Sequence, residues 1–94
     1  MTEEILASSG NVFADLGFSE EEATVLQIRA DLLADLRKYI LTRKLSQAKT
    51  AQVLCISPSR VSDLMKGKWE SFSLEMLITL ATKAGLRVSL KTAA

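Results

Sequence analysis

The sequence predicts an all-α protein, a bundle of four to five helices followed by one short C-terminal strand. Apolar residues occur at helical spacing through most of the chain. The hydrophobic fraction of 48% includes only 5% aromatic residues, which is typical of helices packed through aliphatic side chains. Only the segment that begins at residue 86 alternates apolar and polar side chains, as a strand does. The 94 residues suffice for one domain with a small core.

Residues 1–18 show little periodicity, and we expect them to be mobile or partly ordered, with one short turn near residues 12–16. A helical domain is predicted over residues 19–85, beginning with Ser19 and Glu22 at capping-box spacing. A long helix should then continue to about Arg43, and the pattern leaves open whether it is continuous. Its predicted apolar stripe consists of Val25, Ile28, Leu32, Leu36 and Ile40, widened by Leu33, Tyr39 and Leu41.

Two short helices joined by a tight turn are predicted between residues 45 and 68. Ser46 and Ser57 can cap the free N–H groups at the two helix starts. Pro58 suits the first position of the second helix, where a missing N–H costs nothing. The second helix is expected to end at Gly67 and to bury Val61, Leu64 and Met65. Its other face carries polar side chains that can bind bases or phosphates: Ser59, Arg60, Ser62, Asp63 and Lys66.

This stretch, LSQAKTAQVLCISPSRVSDLMKGK, resembles the helix-turn-helix of Xre/Cro-type repressors. The matching positions are Leu45, Ser46, Gln47, Ala51, Leu54, Ile56, Ser57, Val61, Ser62, Leu64 and Gly67. The resemblance implies a lambda-repressor-like domain that binds a double-stranded DNA operator and regulates transcription as a repressor. The sequence departs from the family at Cys55, where relatives have glycine for a backbone with positive φ. We expect Cys55 to be a small buried thiol.

The resemblance implies that the first turn of the second helix reads bases. Ser59 and Arg60 are the main candidates, with Ser62 one turn further on. Arginine can bind O6 and N7 of guanine through two hydrogen bonds, and a phosphate contact is the alternative for Arg60. Pro58 stands where relatives often have a base-reading side chain, so we expect that readout either to be lost or to become an apolar contact, for example with a thymine methyl. Asp63 is expected to orient Arg60, with acceptance of a hydrogen bond from cytosine as the alternative.

Other residues of the same stretch are implied to bind the DNA backbone. Gln47 would contact phosphate and brace the second helix. The backbone N–H groups next to Ser57 would hold a phosphate at the helix N-terminus. Lys66 and Lys68 flank Gly67 and would meet backbone phosphates.

After this stretch the sequence predicts an aromatic lid over the core, one more helix and a strand. Trp69 and Phe72 are interpreted as an aromatic lid on the core, and a helix over 74–84 should follow, capped by Ser73. A lone strand leaves its backbone groups unpaired. We therefore predict that residues 86–94 pair with a second copy in a homodimer, and a frayed tail is the alternative. The predicted dimerisation residues are Leu86, Val88 and Leu90.

Charge divides the chain into two unlike halves. Residues 1–36 contain eight acidic residues and one arginine, for a net charge of −7, whereas residues 37–94 carry a net charge of +8. The basic half fits phosphate binding. The acidic half would avoid DNA and face a basic protein.

The whole chain is similar to small antitoxins of the HigA type. The similarity covers the opening SSGNVFADLGFSEEEA, the central helix pair, the helix FSLEMLITLATKAG and the basic C-terminal segment. It implies binding to a RelE-like toxin, a basic messenger-RNA nuclease, and repression of the shared operon. The candidate toxin-binding residues are Val12, Phe13 and Leu16. The alternative is a phage- or plasmid-type transcriptional regulator with no toxin partner.

Several function classes are not expected. The chain has no histidine and one cysteine, which excludes an internal disulfide and argues against zinc sites and histidine-based catalysis. It also lacks a glycine-rich phosphate loop, so we expect no enzyme, no metal and no cofactor. No apolar run is long enough to span a membrane, and the first ten residues lack the features of a secretory signal. A cytoplasmic location is the expectation.

Overall fold

The computed structural model describes residues 12–90 and residue 92, which form an all-helical bundle. Its helices are α1 (Val12–Asp15), α2 (Glu20–Thr42), α3 (Gln47–Leu54), α4 (Pro58–Met65) and α5 (Leu74–Lys83), with one 3₁₀ turn (Trp69–Ser71) between α4 and α5. The all-α architecture that we predicted is confirmed. None of the described helices is long and apolar enough to cross a membrane.

Serine caps begin the four longer helices. The hydroxyls of Ser19, Ser46, Ser57 and Ser73 each accept a hydrogen bond from the backbone N–H three residues later. At Ser19 the Glu22 side chain also reaches back to the cap backbone, which completes the predicted capping box. Each cap satisfies a donor that a helix leaves unpaired, so these starts are fixed by local sequence.

Helix α2 is continuous for 23 residues and is about 34 Å long at 1.5 Å per residue. Its C-terminal half packs against the main core, which is closed by α3, α4, α5 and the loop before α5. The buried members of this core are Leu33, Leu36, Ile40, Leu54, Leu64, Phe72, Leu77, Leu80 and Ala81. The N-terminal half of α2 extends beyond this core and contacts α1, where Phe13, Ala23 and Leu26 form a second, smaller cluster.

The predicted apolar stripe of α2 is correct at its buried members Leu33, Leu36 and Ile40 and wrong at two positions, one towards each end of the helix. Val25 is 42% exposed and Leu41 is 64% exposed. At the N-terminal end, Ala23 and Leu26 are buried instead of Val25, because α1 packs on that side of the helix. Spacing alone cannot show which side of each turn of a long helix is covered by the rest of the chain.

The described part of the C-terminal segment contains no strand. Residues 86–90 are irregular, and the remainder of the predicted strand, apart from Thr92, lies outside the described residues. Leu86 and Val88 are half-buried and pack against the main core, whereas Leu90 is 63% exposed. The expected alternation of sides is therefore present at these two residues, but the strand pairing and the dimer stay predictions.

Candidate nucleic-acid interface

Helices α3 and α4 form a close pair because the chain turns sharply at Cys55. This residue caps α3 in the left-handed conformation, with φ 58° and ψ 45°. The N–H of Ile56 donates to the carbonyl of Ala51 at 3.0 Å, which closes the turn. The backbone here has the positive φ for which relatives use glycine, although the residue is cysteine. The expectation of a buried thiol is wrong: Cys55 is exposed, and its sulfur lies 3.7 Å from the Gln52 carbonyl oxygen.

The predicted brace between α3 and α4 is present at Gln47. Its side-chain Nε2 donates a hydrogen bond to the backbone carbonyl oxygen of Pro58 at 2.7 Å. This bond joins the first residue of α3 to the first residue of α4. It therefore fixes the N-terminal turn of α4, the part of the helix that we predicted to read bases. The contact of Gln47 with phosphate stays a prediction.

One face of α4 is polar and open to solvent, and we call it the open face. Successive residues of an α-helix are rotated by about 100°, so Ser59, Ser62 and Lys66 lie within about 60° of one another. Ser59 and Lys66 are exposed, and Ser62 is half-buried. The opposite face buries Val61 and Leu64, which are 2% and 0% exposed. The apolar side thus seats the helix on the core and leaves the polar side free to bind a ligand.

Arg60 lies on neither of these faces, and its side chain is directed into the domain. Its Nη1 donates to the carbonyl oxygen of Ser71 at 2.7 Å, and its guanidinium carbon lies 5.2 Å from the centre of the Phe72 ring. Its Nη2 is 3.6 Å from the sulfur of Met76. The side chain that we predicted as a main base reader instead holds α4 to the loop before α5. Its contact with a base stays a prediction.

The expectation that Asp63 orients Arg60 is wrong. The carboxylate of Asp63 lies 3.8 Å from Nζ of Lys68, and these two side chains are 31% and 55% exposed. Such an exposed pair adds little to stability. It does place a carboxylate beside a lysine that we predicted to meet phosphate, so Lys66 is the cation of α4 that the structure leaves unengaged among the described residues.

A second arginine, which sequence reasoning missed, binds the same loop from the other side. Nε of Arg29 donates to the Phe72 carbonyl oxygen at 2.9 Å, and its Nη2 donates to the carbonyl oxygens of Trp69 and Phe72 at 2.9 and 2.6 Å. Its guanidinium carbon also lies 5.4 Å from the centre of the Trp69 ring. Arg29 is the one base of the acidic half, on the side of α2 that carries Leu33 and Leu36. That apolar position was the signal for an internal role.

The aromatic lid that we predicted is confirmed. Phe72 is fully buried in the main core. Trp69 is half-buried and meets the Phe13 ring edge-on, with centroids 5.3 Å apart. Together with Arg29 and Arg60, these rings fix the loop of residues 69–72, which we call the clamped loop. Because the clamped loop leads from α4 into α5, it determines how α4 lies on the domain.

Of the predicted site, the structure brings together Gln47, Ser57, Pro58 and Ser59 at the start of α4. Ser57 serves as its cap, and Pro58 and Ser59 are exposed. Lys66 and Lys68 are exposed at the other end of the helix. Of the predicted toxin-binding residues, Leu16 is 69% exposed, but Phe13 is only 8% exposed. The side chain of Val12 lies outside the described residues.

A family model described as a helix-turn-helix domain matches residues 12–93 of this chain. No curated protein and no solved structure shows significant similarity to it. The matched region contains every described helix, so the family extends over the whole bundle and not over α3 and α4 alone.

Replacing Arg60 with methionine should lower the free energy of unfolding by about 2 kcal/mol, because a charge-assisted hydrogen bond to the Ser71 carbonyl is lost. For a domain of this size the loss corresponds to a fall in Tm of roughly 10 °C. Thermal unfolding followed by circular dichroism measures it. The matched control is Lys66→Met, which replaces an exposed cation directly after the last residue of α4 and should change stability by less than about 0.5 kcal/mol. An unchanged Tm for R60M would contradict an internal role for Arg60.

Proposed function

Since the chain belongs to the helix-turn-helix domain family, we propose that it is a sequence-specific transcriptional repressor that binds an operator with the exposed face of α4. A DNA-binding regulator is the function that the family indicates. The observation that supports this proposal most is the arrangement of α4: it is fixed by Gln47 at one end, seated by Val61 and Leu64, and polar on its open side. We propose that the protein is not an enzyme and that it is located in the cytoplasm.

We assign the main readout to the open face, because the guanidinium of Arg60 is engaged by the Ser71 carbonyl oxygen and would have to leave it to contact a base. Ser59 lies in the first turn of α4, which enters the major groove in this docking geometry, with Pro58 beside it and Ser62 one turn on. Lys66 and Lys68 would bind phosphates and supply affinity without sequence preference. Arg43, Lys44 and Lys49 are also exposed and add to the positive charge of this half of the chain. Binding should therefore weaken steeply as salt concentration rises.

The variants Ser59→Ala and Lys66→Ala should have different effects on DNA binding. Lys66→Ala removes a phosphate contact, so it should weaken binding to all duplexes and reduce the slope of log affinity against log salt by about 1. Ser59→Ala should weaken binding only to the specific site. The measurement is fluorescence anisotropy on a duplex from upstream of this reading frame and on a scrambled duplex of equal length.

Lys83→Ala is the matched control for the lysine variant, since Lys83 is exposed at the far end of α5. Its affinity should stay within about twofold of the unchanged protein. If Lys66→Ala and Lys83→Ala behaved alike, the open face of α4 would not be the DNA-binding surface.

We propose that the protein acts as a homodimer through its C-terminal segment. Residues 87–90 make no backbone hydrogen bond to another described residue, so their N–H and C=O groups are available to a second chain. Leu86 and Val88 contact their own core, which leaves Leu90 as the exposed apolar residue of the segment. A two-fold dimer would present two copies of α4 about 34 Å apart to successive half-sites.

Replacing Leu90 with aspartate should shift the dimer towards monomer, because it places a charge in the proposed interface without touching the core. Leu41→Asp is the matched control, since the two leucines are 63% and 64% exposed. Sedimentation velocity over a concentration series measures the change. If the dimer persisted in L90D and dissociated in L41D, the interface would lie at the C-terminal end of α2 and not at the C-terminal segment.

We further propose that the protein is the antitoxin of a toxin–antitoxin pair and represses the shared operon. The acidic N-terminal half supports this proposal, because it is suited to a basic protein and not to DNA. Leu16 is available for such a contact, whereas Phe13 packs against Trp69. The alternative is a phage- or plasmid-type regulator with no toxin partner.

Expression of the product of an adjacent reading frame should arrest growth, and co-expression of this chain should restore it. The physical reason is that a basic nuclease loses access to messenger RNA when an acidic partner covers it. Colony counts with and without this chain measure the effect. Adjacent products that leave growth unchanged would favour the regulator without a toxin.

A further inference from the structure

Apolar side chains line an open groove at the acidic end of the domain, away from the proposed DNA-binding face. The groove has a volume of about 410 Å³ and runs between the start of α2 and the clamped loop. Phe18, Val25, Leu26 and Trp69 form its apolar surface. Phe18 and Val25 are 40% and 42% exposed, and Leu16 close by in sequence is 69% exposed. Three of the five large apolar residues exposed in the described chain thus belong to residues 16–25.

The rim of this groove is acidic. Glu21 and Glu22 line it directly, and both are exposed. Every charged residue from position 12 to position 28 is an acid: Asp15, Glu20, Glu21 and Glu22. Arg29 also lines the groove, but its guanidinium is engaged by the carbonyl oxygens of Trp69 and Phe72. The groove therefore combines apolar walls with a negative border.

This combination selects one kind of occupant. DNA is excluded, because its phosphates would meet the carboxylates of the rim. A second copy of this chain that docked through the same groove would bring two acidic rims together, which is unfavourable. A protein segment with apolar side chains flanked by lysine or arginine satisfies both the walls and the rim.

We infer that the Phe18–Val25–Trp69 groove is the docking site for a basic, amphipathic segment of a partner protein. The inference deepens the proposed antitoxin function, on which it rests for the biological identity of the partner. It places the contact on α2 and the clamped loop, outside the set of Val12, Phe13 and Leu16 that the sequence indicated. Apolar side chains of the partner fill the groove, and its cations lie beside Glu21 and Glu22.

Trp69 is the only tryptophan of the chain and lines the groove, so its fluorescence reports occupancy. The probe is a helix-forming peptide of about sixteen residues, free of tryptophan, with leucines at i, i+3, i+4 and i+7 and lysines elsewhere. It should change the Trp69 emission saturably. A peptide with alanines in place of the leucines, and one with glutamates in place of the lysines, should bind at least about tenfold more weakly.

Variants of the full chain then locate the binding site. Val25→Asp should weaken binding of the lysine peptide by at least about tenfold, because it places a charge in the apolar wall. Glu21→Lys should weaken binding to a similar extent, because it places a cation on the acidic rim. The matched controls are Leu41→Asp on the same helix and Glu75→Lys on α5, both at exposed positions outside the groove. They should stay within about twofold of the unchanged chain.

Three results would contradict the proposal that this groove is a docking site. They are no saturable change in Trp69 emission, equal binding of the alanine peptide, and control variants that weaken binding as much as V25D and E21K. The antitoxin function is tested by a different experiment from the docking site. If the peptide binds in the groove while no adjacent product arrests growth, the docking site is supported and the toxin partner is not. If co-expression of this chain restores growth and its V25D variant restores growth equally well, the antitoxin function is supported and the groove is not the docking site.

Discussion

The orientation of α4 depends on how two arginines hold one short loop. Arg29 from α2 and Arg60 from α4 donate to the backbone carbonyl oxygens of Trp69, Ser71 and Phe72, at 2.6 to 2.9 Å. Each guanidinium also lies over an aromatic ring of the same loop. The Trp69 carbonyl oxygen also accepts the N–H of Phe72 within the turn, at 3.2 Å, and half-buried carbonyl groups outside helices and sheets are costly to leave unpaired. The two cations satisfy them and join α2, α4 and α5 into one rigid unit.

Helix α2 separates two surfaces of opposite charge. Its first turn carries Glu20, Glu21 and Glu22, and Arg43 and Lys44 follow its last turn. These ends are about 33 Å apart at 1.5 Å per residue. That distance is several times the Debye length of about 8 Å at physiological salt, so each end acts on its ligand almost independently. The negative charge at one end of α2 therefore has little electrostatic effect on the basic residues at the other end.

The sequence predicted the features that depend on neighbours within a few residues. Serine caps, the proline at the start of α4 and the positive φ at Cys55 all follow from local geometry, and the Gln47 brace followed from the family pattern. The bond from Arg60 to Ser71 was not foreseen because the two residues are eleven positions apart, and Arg29 was missed because Phe72 is 43 residues away. The exposure of Val25 was not foreseen because it depends on which side of α2 is covered by α1, where Ala23 and Leu26 pack against Phe13, and no pattern within α2 encodes this.

The clamp on the loop is made to its main chain. Every residue offers the same carbonyl oxygen, so the side chains at positions 70 and 71 contribute nothing to the grip of Arg29 and Arg60. Glu70 points to solvent and Ser71 is bound through its backbone. Mutational drift at these two sites can thus alter the chemistry displayed there while the geometry beneath it is inherited unchanged.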